Sequence, residues 1–275
     1  MSPIISLTSD FGLTDAYVGA MKGAILGINP EAVVVDISHS IEPQNVSQAA
    51  FILSTACEAF PDGAIHVVVV DPGVGTERRG IVLKTPRATF VAPDNGVLTY
   101  VVRAYAPDGS MLPVTPTAPG TYLEAVNLTN QKYWRSPVSA TFHGRDIFAP
   151  VAAHLSLGVA LHDLGEPVPS LEMLPVASPE RKPDGTVVGR VIHIDHFGNL
   201  VVNIACERLT GKPWKTIVEV GQRRIEGLSQ TYGQAPGLLA LTGSTGYLEI
   251  AFNGGSAASF LGVRVGDEVL VRQPT

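Results

Sequence analysis

Ala64-Ile65-His66-Val67-Val68-Val69-Val70 is an almost unbroken apolar run that stops abruptly at Asp71-Pro72-Gly73. A strand with one wet face alternates apolar and polar residues, whereas a continuous valine-rich run fits a strand covered on both faces, as at the centre of a parallel sheet. Toward the N-terminus, two more apolar runs at 4–7 and 32–37 alternate with helical patterns over 16–28 and 44–60. This is βαβα punctuation. Toward the C-terminus, short strands fit 81–84 and 89–91, and helices fit 96–105 and 145–157. Residues 1–165 therefore read as an α/β domain built on a mainly parallel sheet.

Five prolines (Pro167, Pro169, Pro175, Pro179 and Pro183) then punctuate a stretch that suits neither helix interior nor central strand, so 166–185 reads as a linker. Beyond it the texture changes to β-branched runs at 186–194, 200–204, 216–220, 238–241, 247–252 and 268–271, separated by Gly, Asn and Asp turns. A smaller β-barrel or sandwich is expected over 186–275. No internal repeat or low-complexity tract is present.

With 275 residues, 45% hydrophobic and 16% charged, the chain can bury one large core or two smaller ones. A net charge of −6 offers no basic footprint for nucleic acid or an anionic membrane, so neither is an expected partner. Cys57 and Cys206 lack metal-type spacing and read as reduced, buried thiols. No signal-peptide pattern and no bilayer-length apolar stretch is found, so the expectation is a cytoplasmic protein.

Polar residues cluster just past the apolar runs: Ser9-Asp10-Phe11-Gly12, Asp36 with His39, Asp71, and Asp94-Asn95-Gly96. Ligands of open parallel sheets bind beyond the carboxyl ends of the strands, so these residues would share one rim. Asp10, Asp71 and Asp94 also suit helix caps and Asx turns. In Asp71-Pro72-Gly73-Val74-Gly75-Thr76-Glu77-Arg78, a carboxylate at a strand end is followed by a stiff proline and two glycines, and Arg78 can fold back on Asp71. A structural ion pair is the plainer reading of that pair. Thr141-Phe142-His143-Gly144-Arg145-Asp146 opens a helix, where His143 is of the right type to orient water or accept its proton, or else to cap and pack. In the second domain, Asp195-His196-Phe197-Gly198-Asn199 and Gly243-Ser244-Thr245-Gly246-Tyr247 are turn compositions that also offer groups for an amino acid and a purine edge.

Taken together these segments resemble the S-adenosyl-L-methionine (SAM) hydroxide adenosyltransferase family, related to the fluorinases and chlorinases. The resemblance rests on Thr8-Ser9-Asp10-Phe11-Gly12, Ile37-Ser38-His39, Val70-Asp71-Pro72-Gly73-Val74-Gly75-Thr76, Ala92-Pro93-Asp94-Asn95-Gly96, Phe142 through Pro150, Asp195 through Asn199, and Gly246-Tyr247-Leu248-Glu249-Ile250-Ala251. It implies an N-terminal α/β domain, a C-terminal β-barrel, and a homotrimer whose active sites lie between one subunit's N-domain and its neighbour's C-domain. It further implies a water-handling triad on Asp71, Arg78 and His143. By the same transfer Asp10 holds the ribose hydroxyls, Phe142 lines the ribose and sulfonium region, Asn199 reads adenine, and Asp195 and Ser244 take the methionine end. Tyr232 stacks on the base, Phe252 and Asn253 contact adenine, and Tyr247 and Glu249 complete the substrate-binding set.

The halogenating relatives differ from this chain at Gly144, where the fluorinase has serine, at Asp71, where they have tyrosine, and at Gln44, where they have tryptophan. The fluorinase's extra loop is also missing between Lys84 and Thr89. An ionised Asp71 repels a halide and can orient water, so hydrolysis of SAM to adenosine and methionine is the implied reaction, with no metal and no cofactor. Three alternatives stay open: a SAM-dependent halogenase, a metal-dependent phosphohydrolase using the scattered Asp and His residues, and a non-catalytic adenosine- or SAM-binding module.

Overall fold

The computed structural model describes residues 2–105 and 123–273 and divides the chain into two compact units, Met1–Leu174 and Pro175–Thr275. The first unit carries strands β1 (Ile4–Ser9), β2 (Val33–Ser38), β3 (Ile65–Val69), β4 (Gly80–Lys84), β5 (Thr89–Pro93), β6 (Glu124–Leu128) and β7 (Gly165–Pro167). Its helices are α1 (Tyr17–Ile28), α2 (Val46–Cys57), α3 (Thr99–Tyr105), α4 (Ala149–Ser156) and α5 (Leu161–Leu164). The strands form one sheet in the order β2-β1-β3-β5-β4-β6-β7. The first four are mutually parallel, and β4, β6 and β7 extend the sheet antiparallel.

β3 is covered on both faces, as its composition requires. Successive strand residues point to opposite faces. Val67 and Val69 join a core with Met21, Ile25, Phe148 and Val151 from α1 and the α4 region, while Val68 and Val70 join a second core with Ala49, Leu53 and Val101 from α2 and α3. All four valines are at most 2% exposed, so truncating any one would cost roughly 1–3 kcal/mol in lost transfer energy and cavity. α2 starts where Asn45 places its side-chain oxygen on the Gln48 N–H, satisfying one of the donors a helix start leaves free. α3 begins at Thr99, three residues later than the sequence pattern gives, because Gly96 occupies a turn ahead of it at φ +91°.

The Pro-rich stretch is paired at both ends. β7 adds to the first sheet, and β8 (Glu180–Arg181) pairs with β9 (Val187–Ile194) in the second unit. Between them, Arg79 Nη2 donates to the Ser170 carbonyl, Glu172 N donates to Asp94 Oδ1, and Leu174 N donates to Thr99 Oγ1. Residues 170–174 are thus strapped onto the first unit.

The second unit continues with β9 (Val187–Ile194), β10 (Leu200–Ala205), β11 (Ile217–Val220), β12 (Arg223–Glu226), β13 (Gly237–Thr242), β14 (Tyr247–Asn253), α6 (Ala257–Leu261) and β15 (Glu268–Arg272). Its strands run antiparallel in the order β12-β11-β15-β9-β10-β14-β13, and Ser229 bridges Leu241 so that the sheet nearly closes into a barrel. Alternate residues fill the interior, among them Val218, Val220, Val269, Val271, Leu248 and Ile250. Among the described residues no helix is long and apolar enough to cross a membrane.

Candidate active site

The parallel half of the first sheet brings one rim together. Ser9 of β1 lies in register with Val69 of β3, and Thr8 with Ser38 of β2, so the chain emerges from neighbouring strands at His39, Asp10 and Asp71. Asn95, past β5, ties the rim by donating its side-chain N–H to the Val70 carbonyl at 2.9 Å.

Asp71, Arg78 and His143 are joined directly. Arg78 Nε donates to both Asp71 oxygens at 2.9 and 3.0 Å, and Nη2 donates to Oδ2. The same Nη2 lies 2.8 Å from His143 Nδ1. The pair is largely buried, with side-chain exposures of 12% for Arg78 and 5% for Asp71, and the guanidinium sits over the buried Phe148 ring at 5.2 Å. A buried charge pair holds only when its donors and acceptors are met, as they are here.

Arginine has donors and no acceptor, so Nδ1 of His143 must offer its lone pair and the ring proton sits on Nε2. Burial, and then the Arg78 charge, hold the His143 pKa below its ordinary 6.5. The neutral Nε2–H tautomer is therefore the ground state.

Two local features deliver these side chains. Gly75, at φ +77°, packs so tightly on the Ala140 carbonyl that a Cβ there would collide with it, which seats the Asp71–Arg78 loop against the segment leading to His143. That segment is anchored by the fully buried Asp146, which accepts from Ser139 N at 2.8 Å and from Arg145 Nε at 2.6 Å. His143 then precedes a π-helical turn, Gly144–Phe148, that runs into α4; the sequence reading expects a plain α-helix from 145. His143 is already helical in φ and ψ and its side chain caps nothing, which leaves the ring for Arg78. A Cβ at Gly144 would meet Met21 Sδ and Val69 Cγ1, each at 3.2 Å, so a serine there requires its surroundings to give way.

Around this centre Phe142 stacks edge-on against Phe11 at 5.7 Å and Tyr17 at 5.2 Å, with Arg145 over its face. Asp10 Oδ2 accepts the Gln44 N–H at 2.8 Å, where Gln44 is the one described non-glycine residue at positive φ (64°). Ser9, Asp36 and His39 sit on the same rim, Asp36 and His39 being among the ligands that the phosphohydrolase alternative would use. Ser9 Oγ lies 2.7 Å from His39 Nδ1, His39 Nε2 lies 3.1 Å from Asp36 Oδ1, and Lys22 Nζ donates to the other oxygen, Asp36 Oδ2, at 2.6 Å. Burial works to raise the Asp36 pKa, but the Lys22 hydrogen bond and the nearby His39 outweigh it and bring it below the ordinary value.

In the second unit Asp195 makes an Asx turn: Oδ1 accepts from Phe197 N and Asn199 N, and Oδ2 accepts from the Asn199 side chain at 2.9 Å. Strand pairing sets Leu200 opposite Ile250, which puts Asn199 and this turn at the end of β14 that carries Phe252 and Asn253. Phe252 packs on Phe260 with centroids 4.5 Å apart, and Asn253 donates to the Ala235 carbonyl. Tyr232 donates its hydroxyl to the buried Glu249 at 2.6 Å, and that bond pushes the Tyr232 pKa up to about 12. Ser244 is exposed in the turn before β14, and Tyr247 opens that strand. Among the described residues no three of His, Cys, Asp and Glu are grouped as a metal site requires.

Comparison with known proteins shows the family. The SAM hydroxide adenosyltransferase N-terminal domain model matches residues 5–165 and the C-terminal domain model matches 189–270. The (R)-S-adenosyl-L-methionine hydrolase of Salinispora tropica is 41% identical over 98% of both chains. A fluorinase of Nocardia brasiliensis matches more distantly, at 28% identity over 98% of this chain and 97% of its own. The crystal structure of an uncharacterized conserved protein from Thermotoga maritima superposes with a TM-score of 0.87 at 38% identity, covering 98% of this chain and all of the other. This chain belongs to the SAM hydroxide adenosyltransferase family.

Proposed function

We propose that this protein hydrolyses SAM to adenosine and L-methionine by direct attack of water on the ribose 5′ carbon, and that its substrate is the epimer with R configuration at the sulfonium, as the name of the hydrolase relative specifies. The observation that carries the reading is Arg78 holding Asp71 and His143 in one hydrogen-bonded chain at the rim of the parallel strands.

The chemistry asks little of an acid. As the O–C5′ bond forms, the C5′–S bond breaks and its electron pair returns to sulfur, so methionine leaves as a neutral thioether. Attack by water produces a protonated alcohol, a strong acid, and a carboxylate is basic enough to relieve it. Asp71 Oδ1, which takes only the Arg78 Nε bond, keeps a lone pair and can accept a hydrogen bond from the water. His143 serves as a donor: with Nδ1 held by Arg78, its Nε2–H orients the water oxygen. Fixing the nucleophile in line is worth roughly 7 kcal/mol or more in favourable cases. Asp10 takes the ribose hydroxyls, Phe142 lines the sulfonium region, and Asp195, Asn199, Tyr232, Ser244, Tyr247, Glu249, Phe252 and Asn253 receive adenine and the methionine end.

The proposal includes a cytoplasmic homotrimer working without metal or cofactor, in which the N-terminal unit of one subunit and the C-terminal unit of its neighbour share each site. An ionised Asp71 beside the reacting carbon disfavours a halide and so the halogenase alternative. The test incubates purified protein with a mixture of the two sulfonium epimers and excess chelator, following adenosine, methionine and each epimer. The expected result is loss of the R epimer alone, with little turnover by Asp71→Ala and His143→Ala. Tight binding with no adenosine would make the protein a binding module, and activity lost to chelator but restored by metal would overturn the metal-free reading.

A further inference from the structure

Ser9, His39 and Asp36 are the residue types of a hydrolytic triad, linked end to end, yet Ser9 is 0% and His39 4% exposed. A buried hydroxyl that already accepts the Phe11 N–H at 3.3 Å is unavailable to a substrate, so this chain of contacts is not a nucleophile. Its geometry points elsewhere.

His39 grips the loop between Ser9 and Gly12 at both ends. Its ring meets the Ser9 hydroxyl at 2.7 Å, and its backbone carbonyl accepts the Gly12 N–H at 2.8 Å. Asp36 lies 3.1 Å from Nε2, off the line of a well-aligned hydrogen bond, and its charge favours the ring proton on that side. Nδ1 is left to accept from Ser9. Lys22 fixes Asp36 in turn from α1. Between the two grips lies Asp10, its carboxylate steered by Gln44 N, and next to it Phe11, whose ring abuts Phe142.

We infer that His39 is the positioning residue of the Asp10 loop, holding the carboxylate where it can take the ribose hydroxyls of the substrate. This rests on the proposed function, in which Asp10 meets the ribose. A carboxylate bonded to a hydroxyl discriminates strongly against an analogue lacking it, because its partner is then missing inside the site. The inference is therefore about selectivity and is separable from fold stability.

The experiment measures the ratio of kcat/KM for SAM over its 2′-deoxyadenosyl and 3′-deoxyadenosyl analogues, in wild type and in Asp10→Ala, His39→Leu, His39→Asn and Ser9→Ala. Asn can offer its side-chain oxygen near the place of Nδ1. The expected result is that Asp10→Ala abolishes the larger of the two ratios, His39→Leu and Ser9→Ala each lower it about tenfold, and His39→Asn restores most of it. If Asp10→Ala leaves both ratios unchanged, the ribose reading fails and the inference falls with it. If Asp10→Ala abolishes the ratio while His39→Leu and Ser9→Ala keep it, with only a lower Tm, His39 is structural and the inference alone is overturned. Ser9→Ala, which removes one oxygen, decides the matter should His39→Leu not fold.

Discussion

Arg78 Nη2 stands between two acceptors, Asp71 Oδ2 and the Nδ1 of His143, and so fixes the tautomer of the neutral histidine. A guanidinium does not lose its proton in this setting, and it cannot face a protonated Nδ1. The histidine is thereby committed to donate through Nε2, whereas a reading from residue types alone leaves it free to act as a base.

A pH dependence follows. Burial and the Arg78 charge depress the His143 pKa below 6.5, and the neutral ring is the form that fits beside Arg78. We expect kcat/KM to rise with pH through a midpoint below 6.5 and to be flat at neutrality. Removing the guanidinium in Arg78→Met takes away a repulsive charge, so the His143 titration followed by NMR should move to higher pH. A wild-type midpoint at or above 6.5, or no movement in the variant, would contradict the assigned tautomer.

Because the three side chains act as one hydrogen-bonded unit, their losses should not add. Asp71→Ala and His143→Ala are each expected to lower kcat by roughly 100-fold or more, and the double variant to lose little beyond the larger single loss. Arg78→Lys keeps the charge but lacks the planar fork that meets Asp71 through two nitrogens while reaching His143, and it should lose about as much. Steady-state kinetics on the full cycle are the check, and strictly multiplicative losses would separate Asp71 from His143 in function.

Gly75 bears on the same geometry from outside it. Any side chain there meets the Ala140 carbonyl and must also adopt φ +77°. Gly75→Ala is expected to destabilise the fold by roughly 1–3 kcal/mol in urea titration, and to lower kcat through displacement of Arg78 from His143. An unchanged urea midpoint together with unchanged kcat would show that the loop tolerates the shift.

Some of this was legible in the chain and some was not. β3 announces itself because burial on both faces produces an almost unbroken apolar run, and the barrel strands at 216–220 and 268–271 because β-branched runs are bounded by turn residues. β12 does not, since Arg223-Arg224-Ile225-Glu226 puts a single apolar side chain inward and is held by pairing with β11. β7 and β8 are likewise defined by their partners and carry prolines or charge. The π turn before α4 has no local signature that separates it from an α-helix. At the site, Asp71 and Arg78 are near in sequence and their pairing is readable, but the Arg78–His143 contact spans 65 residues and the Ser9–His39 contact 30. Such links exist only once the strands align. Asp195 shows the reverse difficulty: its Asx turn is written in the local sequence, and it coexists with the substrate role proposed for the same carboxylate.

His66, the second residue of β3, gives a test of the core itself. Its Nδ1 lies 2.6 Å from Ser6 Oγ, its ring stacks on Phe90 and meets Phe60 edge-on, and Nε2 is buried without a partner. Burial pushes its pKa down to about 4. Between the ordinary value of 6.5 and about 4, the unfolded chain binds a proton that the folded chain refuses, so stability falls as pH drops through that window. Above 6.5 the contribution is fully present, and below 4 it changes no further; the whole effect is about 3 kcal/mol. Urea unfolding of wild type and His66→Gln at pH 7 and pH 4.5 separates this group from the others that titrate. The variant is expected to be less stable at pH 7 and to lose about 2 kcal/mol less on acidification. Equal losses in the two proteins would mean that the core admits a charged imidazole, and that β3 is less tightly sealed than its valines imply.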